Sequence, residues 1–66
     1  MSIQISNKEY EEDYNEFYSE AKAKGLSDRD ADIVATKKIY PASTLPLADH
    51  YNISPSVVRK IFLDYF

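Results

Sequence analysis

The chain contains no cysteine in its 66 residues, which excludes a disulfide framework, a thiol nucleophile and a cysteine-ligated zinc site. A single histidine, His50, cannot assemble a catalytic set. A serine nucleophile needs a base held by a third group and a metal site needs several converging ligands, and no other residue at useful spacing completes either arrangement. No cofactor, no metal and no enzyme activity are expected, because 66 residues can hardly enclose a cleft for acid and base chemistry by carboxylates alone. No window approaches the ~18 apolar residues of a membrane span. The opening MSIQISNKEY has neither the basic start nor the apolar run of a secretory signal, so the expected location is cytoplasmic. Glycine is equally scarce, with one residue against three prolines, and no repeat or low-complexity segment interrupts the chain.

With 44% hydrophobic residues, the composition is that of a folded domain rather than a disordered tail. A chain this short buries only ~60% of its unfolded surface, so its stability is marginal unless a partner adds to it. Charge is unevenly spread. Residues 1 to 25 hold three lysines and six acidic residues, for −3, and residues 26 to 66 hold five of each sign, so the net −3 of the protein lies entirely in its first third.

Helix starts and stops can be read along the chain. Ser6 and Glu9 have the spacing of a capping box, predicting a helix over 7–25 that Gly25 ends, preceded by a short extended arm at 1–6 in which Ile3 and Ile5 alternate with polar residues. Within this helix Tyr10, Tyr14, Phe17, Tyr18 and Ala21 fall on one stripe, opposite Glu9, Glu12, Asp13, Glu16 and Glu20. Ser27 and Asp30 offer a second capping box for a helix over 27–40, with Leu26 placed to staple onto Ala31. Asp28 and Asp30 suit its positive end, Lys37 and Lys38 its negative end, and Pro41 stops it. Its buried stripe is predicted to be Ala31, Val34, Ala35 and the stem of Lys38. Thr44 is expected to cap a third helix ending near Tyr51, and Ser54 a fourth in which Pro55 takes the first position. The expected fold is all-α, a small four-helix domain with a helix-turn-helix at 44–64 and the extended N-terminal arm.

The stretch Thr44 to Leu63, TLPLADHYNISPSVVRKIFL, carries the strongest functional signal. Two helices that cross steeply need small or apolar residues at the contact, and Leu47 and Ala48 supply them on the first, with Ile53, Val58 and Ile61 facing inward from the second. Asn52 stands where the turn needs a left-handed residue. This pattern resembles the helix-turn-helix superfamily of DNA-binding regulators, with Asn52 where the family usually has glycine. The resemblance implies that the second helix enters the major groove, so that Ser54, Pro55, Ser56, Arg59 and Lys60 approach the DNA. Arg59 can pair two ways with guanine, Ser56 suits a base or a phosphate, and Lys60 a phosphate. Lys37 and Lys38 could clamp the adjoining backbone, and Ser43 or Thr44 could hold a phosphate at a helix start, although complementing the helix dipole is sufficient to explain both lysines.

Two functions are therefore expected from different working surfaces. The first is a small DNA-binding transcription regulator, of a size often met among regulators carried by viruses and mobile elements, acting on double-stranded DNA as a homodimer. Nine aromatic residues exceed what one such domain buries, so an interface between copies is expected from Tyr10, Tyr14 and Tyr18 in the first helix and Phe62, Tyr65 and Phe66 at the chain end. The alternative is an acidic interaction module whose first helix binds and inhibits a host protein, such as a component of the transcription machinery.

Overall fold

The computed structural model describes the backbone of residues 2–66 and the side chains of residues 11–66. Four helices follow one another, α1 (Ser2–Ala23), α2 (Asp28–Ile39), α3 (Thr44–Tyr51) and α4 (Pro55–Tyr65). Among the described residues there is no strand, and no helix is long and apolar enough to cross a membrane.

The first helix starts at Ser2, earlier than the capping-box signal predicts. Residues 2–6, expected as an extended arm, are helical backbone, and the Ser6–Glu9 pair lies inside the helix instead of at its start. No proline or glycine stands between residues 2 and 24, and once a helix is nucleated each added residue costs little, so a local capping signal does not prevent extension. The side chains of Ile3, Ile5, Ser6, Glu9 and Tyr10 lie outside the described residues.

Both stops that depend on a left-handed residue form as expected. Gly25 adopts φ 96° while the Leu26 amide donates to Ala21 O at 3.1 Å and the Gly25 amide to Lys22 O at 3.0 Å. Asn52 repeats this geometry at φ 55°, with the Ile53 amide on Ala48 O at 2.9 Å and the Asn52 amide on Asp49 O at 3.3 Å. In each case the last carbonyls of the helix find donors in the turn, and the chain reverses within two residues.

The starts are set by side chains. Ser27 Oγ accepts from the Asp30 amide at 3.2 Å, while the Asp30 carboxylate is held by Arg29 Nε at 2.9 Å. Ser54 Oγ accepts from the Val57 amide at 3.4 Å, and Pro55 occupies the first helical position. At α3 the cap is Ser43, not Thr44, and Thr44 is the first helical residue. The Leu47 amide that a Thr44 cap needs is already taken by Ser43 O at 2.9 Å. One residue earlier, the third helical position falls on Pro46, which has no N–H to offer. Ser43 consequently makes no side-chain cap bond, and its buried hydroxyl has no partner among the described residues.

Packing is organised around α2, which touches all three other helices. Ala31, Val34 and Ala35 are fully buried, as their stripe predicts, together with Ala21 of α1. Ile33 is fully buried too, although it stands on the opposite side of the helix from that stripe. It joins Leu47, Ala48 and Val58 in one core cluster, with Tyr51, Ile53 and Ile61 packed against it. A helix covered on one side buries one stripe, and α2 is covered on two because α1 and the α3–α4 pair occupy different faces.

Candidate nucleic-acid interface

α3 and α4 pack against one another across a tight turn. Leu47 and Ala48, each 6% exposed, and Val58, fully buried, bring the two helices together over Ile33, and the left-handed Asn52 supplies the turn. With Val58 and Ile61 directed inward, the outer face of α4 is left to Ser56, Arg59, Lys60, Leu63 and Asp64, all exposed.

These outer residues differ in what they already hold. Ser54 is occupied as a cap and lies 3.1 Å from the Ser56 hydroxyl. Lys60 Nζ donates to Asp64 Oδ2 at 3.0 Å, one turn along the helix, a solvent-exposed pair of the kind that contributes little and yields readily to a competing anion. Arg59 has no hydrogen bond, ion pair or ring contact among the described residues. It is the only described cation in that condition, since Lys22 pairs with Asp28 and Arg29 with Asp30 and Lys24 lies over the Tyr65 ring at 4.8 Å.

Lys37 and Lys38 are drawn elsewhere. Lys37 Nζ donates to Pro41 O at 2.9 Å, in the turn just past the C-cap of α2, and stands 5.2 Å from the Phe62 ring. Lys38 lies over Phe66 at 4.9 Å and Phe17 at 6.0 Å. Both are engaged by carbonyl and ring groups of the domain itself. Lys38 is exposed, so its stem does not join the buried stripe as expected, because the half-exposed Phe66 ring draws the chain along the surface. Thr44 is half-buried in the first turn of α3.

No known protein family, characterised protein or solved structure matches this chain.

The aromatic residues expected at a protein interface are divided. Tyr14 and Tyr18 are half-buried and stack with centroids 5.7 Å apart. Tyr14 donates its hydroxyl to Asp32 Oδ1 at 2.5 Å, and Tyr18 to Asp28 Oδ1 at 3.3 Å, beside the Lys22–Asp28 pair. Hydrogen bonding to Lys22 holds the Asp28 carboxyl below the usual range, while desolvation and the facing carboxylates raise both phenols. At the chain end Phe62 and Tyr65 are half-buried, whereas Phe66 is 55% exposed and meets Phe17 edge-on at 6.4 Å. None of the described aromatics is fully buried.

Two further features arise only from the tertiary arrangement. Leu26, expected as a staple, lines a half-open groove of about 350 Å³ with Ile61 and Tyr65, flanked by Lys24, Asp30 and Asp64. Asp32, the third aspartate at the start of α2 and the one the helix dipole leaves unexplained, receives hydroxyls from three helices. Its sequence signal is slight, a carboxylate one turn before Thr36.

Proposed function

We propose that this protein is a small transcriptional regulator that binds double-stranded DNA through α3 and α4, with α4 lying in the major groove. The observation that carries this is the pairing of a close-packed helix-turn-helix with an uncommitted Arg59 on its outward face. In this reading Arg59 pairs two ways with a guanine, Ser56 adapts to a base or a phosphate, and Lys60 exchanges Asp64 for a phosphate. Ser54 and Thr44 stand at helix starts where backbone amides favour phosphate oxygens. Lys37 and Lys38 contribute least, because Pro41 O and the aromatic rings already hold them. The exposed carboxylates Glu11, Glu12, Asp13, Glu16 and Glu20 sit on α1, which packs mainly on α2 and meets α4 through Phe17 and Phe66 at the chain end, away from Ser54 and Ser56.

Self-association belongs to the same reading. Leu63 is 70% and Phe66 55% exposed, at the opposite end of α4 from Ser54, and a twofold contact there would adjoin Arg59 and Lys60, one turn back on the outward face, while leaving Ser54 and Ser56 clear.

Binding to mixed genomic duplex at 50 and 200 mM salt tests the proposal. With two cations per protomer, affinity should fall about tenfold for one protomer and about a hundredfold for two over that range. Absence of binding at the lower salt, or affinity indifferent to salt, rejects it. The acidic interaction module is the second reading, supported by the five exposed carboxylates of α1. It is weaker because Tyr14 and Tyr18 are engaged with Asp32 and Asp28, leaving that surface few uncommitted aromatic anchors.

A further inference from the structure

Three hydroxyl groups from three helices end on one carboxylate. Tyr14 of α1 donates to Asp32 Oδ1 at 2.5 Å, Thr36 of α2 donates to the same oxygen at 3.2 Å, and Tyr51 of α3 donates to Oδ2. Asp32 is half-buried, and no cation among the described residues pairs with it. An ion pair tolerates a range of geometries, but hydroxyl bonds to a carboxylate are directional, and several converging on one group fix the elements that bear them. The donors are distributed tellingly. Tyr51 is the last residue of α3, directly before the left-handed Asn52, so holding its ring holds the turn from which α4 departs. Tyr14 belongs to α1, which packs along α2 but makes no helix packing with α3.

We propose that Asp32 is a positioning residue that sets the orientation of α3, and through the Asn52 turn that of α4, and that the acidic helix α1 is coupled to this orientation because Tyr14 shares the carboxylate with Tyr51. Release of α1 from α2 removes one donor from Asp32 and loosens Tyr51, whereas the direct meeting of α1 with α4 is that of Phe17 against Phe66 at the chain end, far from Ser54 and Ser56. The consequence for base reading rests on the DNA-binding function proposed above, whereas the coupling itself does not.

Amide exchange on the full chain separates positioning from plain stability. Tyr14→Phe and Tyr51→Phe keep the rings and remove one hydroxyl each. In both variants the Asn52 and Ile53 amides should exchange about tenfold faster while Val34 and Ala35 in α2 keep their rates. The double variant should show less than the product of the two single effects, because the donors share an acceptor. A uniform acceleration of all protected amides, or Asn52 and Ile53 unmoved in Tyr14→Phe, overturns the coupling. A second arm compares duplexes enriched from a random pool by the unaltered protein with mixed genomic duplex. Tyr51→Phe should lower that preference severalfold with no change in salt slope, because the phosphate contacts persist, and an unchanged preference overturns the role in base reading. Should the unaltered protein bind no DNA, the DNA-binding function falls while the exchange rates still decide the coupling.

Discussion

Arg59 and Asp32 represent two ways of using a charge on a small surface. Arg59 is left without a partner on the outer face of α4, so its removal costs the fold nothing visible. Arg59→Ala should leave the thermal midpoint unchanged, weaken DNA binding by ~1 to 3 kcal/mol and relax preference at one base position. Competition binding against single-base variants of a duplex checks this, and retained preference at every position would remove Arg59 as the reader. Asp32 is instead surrounded by donors, and it changes their chemistry. Burial, followed by the Asp32 bond, pushes the Tyr51 phenol up to about 12, and Tyr14 is raised by the same causes in the same order. A phenol whose folded value exceeds its unfolded value of about 10 adds stability that is complete below pH 10 and lost as pH climbs through the folded value. Urea midpoints should therefore be insensitive to these tyrosines from pH 7 to 9 and decline from pH 10 to 12. Tyr51→Phe should flatten that decline, and an equal decline in the variant would show that another group governs it.

Among the elements, the α3–α4 crossing is the tightest demand the sequence makes. Ala48 is nearly buried against Val58 and Ile33, and its carbonyl closes the turn by accepting from Ile53. Enlarging it to leucine has to separate the helices or displace that turn, at a cost of ~1 to 3 kcal/mol. Ala48→Leu should lower the thermal midpoint by roughly 5 to 20 °C, and an unaltered melt by circular dichroism would mean that the helices do not meet there. The features legible in the sequence share one property, short range. Gly25, Ser27, Pro41, Asn52 and the Ser54–Pro55 start act within a few residues of themselves, and each stands where the pattern puts it. What escaped is longer in range or depends on a neighbour's missing atom. Ile33 and Asp32 face elements brought onto α2 only by folding, the first helix extends past its capping signal to Ser2, and the α3 cap moves to Ser43. On the candidate site, the outward set on α4 follows from helical spacing alone, whereas the capture of Lys37 and Lys38 by Pro41 and the chain-end rings required the tertiary structure.

At the scale of the whole molecule, a chain of 66 residues whose described aromatics all retain some exposure has surface left to bury. Leu63, Leu45 and Phe66 are the most exposed of its large apolar residues, and two of the three stand at one end of α4. Light scattering at micromolar concentration should give twice the mass of one chain, and Leu63→Ser should return it to one. A single-chain mass for the unaltered protein would confine the reading unit to one half-site and its salt response to the lower of the two values given above.

The uncapped start of α3 has a consequence for the order in which the domain comes apart. Ser43 carries a buried hydroxyl with no partner among the described residues, and Pro46 offers no amide for that hydroxyl to cap, while the far end of the same helix is closed by Asn52 and Ile53. Heat should therefore open α3 from one side only, peeling from Thr44 toward Tyr51 like a strip fixed at its last hinge. The earliest loss on warming falls at the edge away from α4, so the reading helix keeps its attachment until the rest of the core gives way.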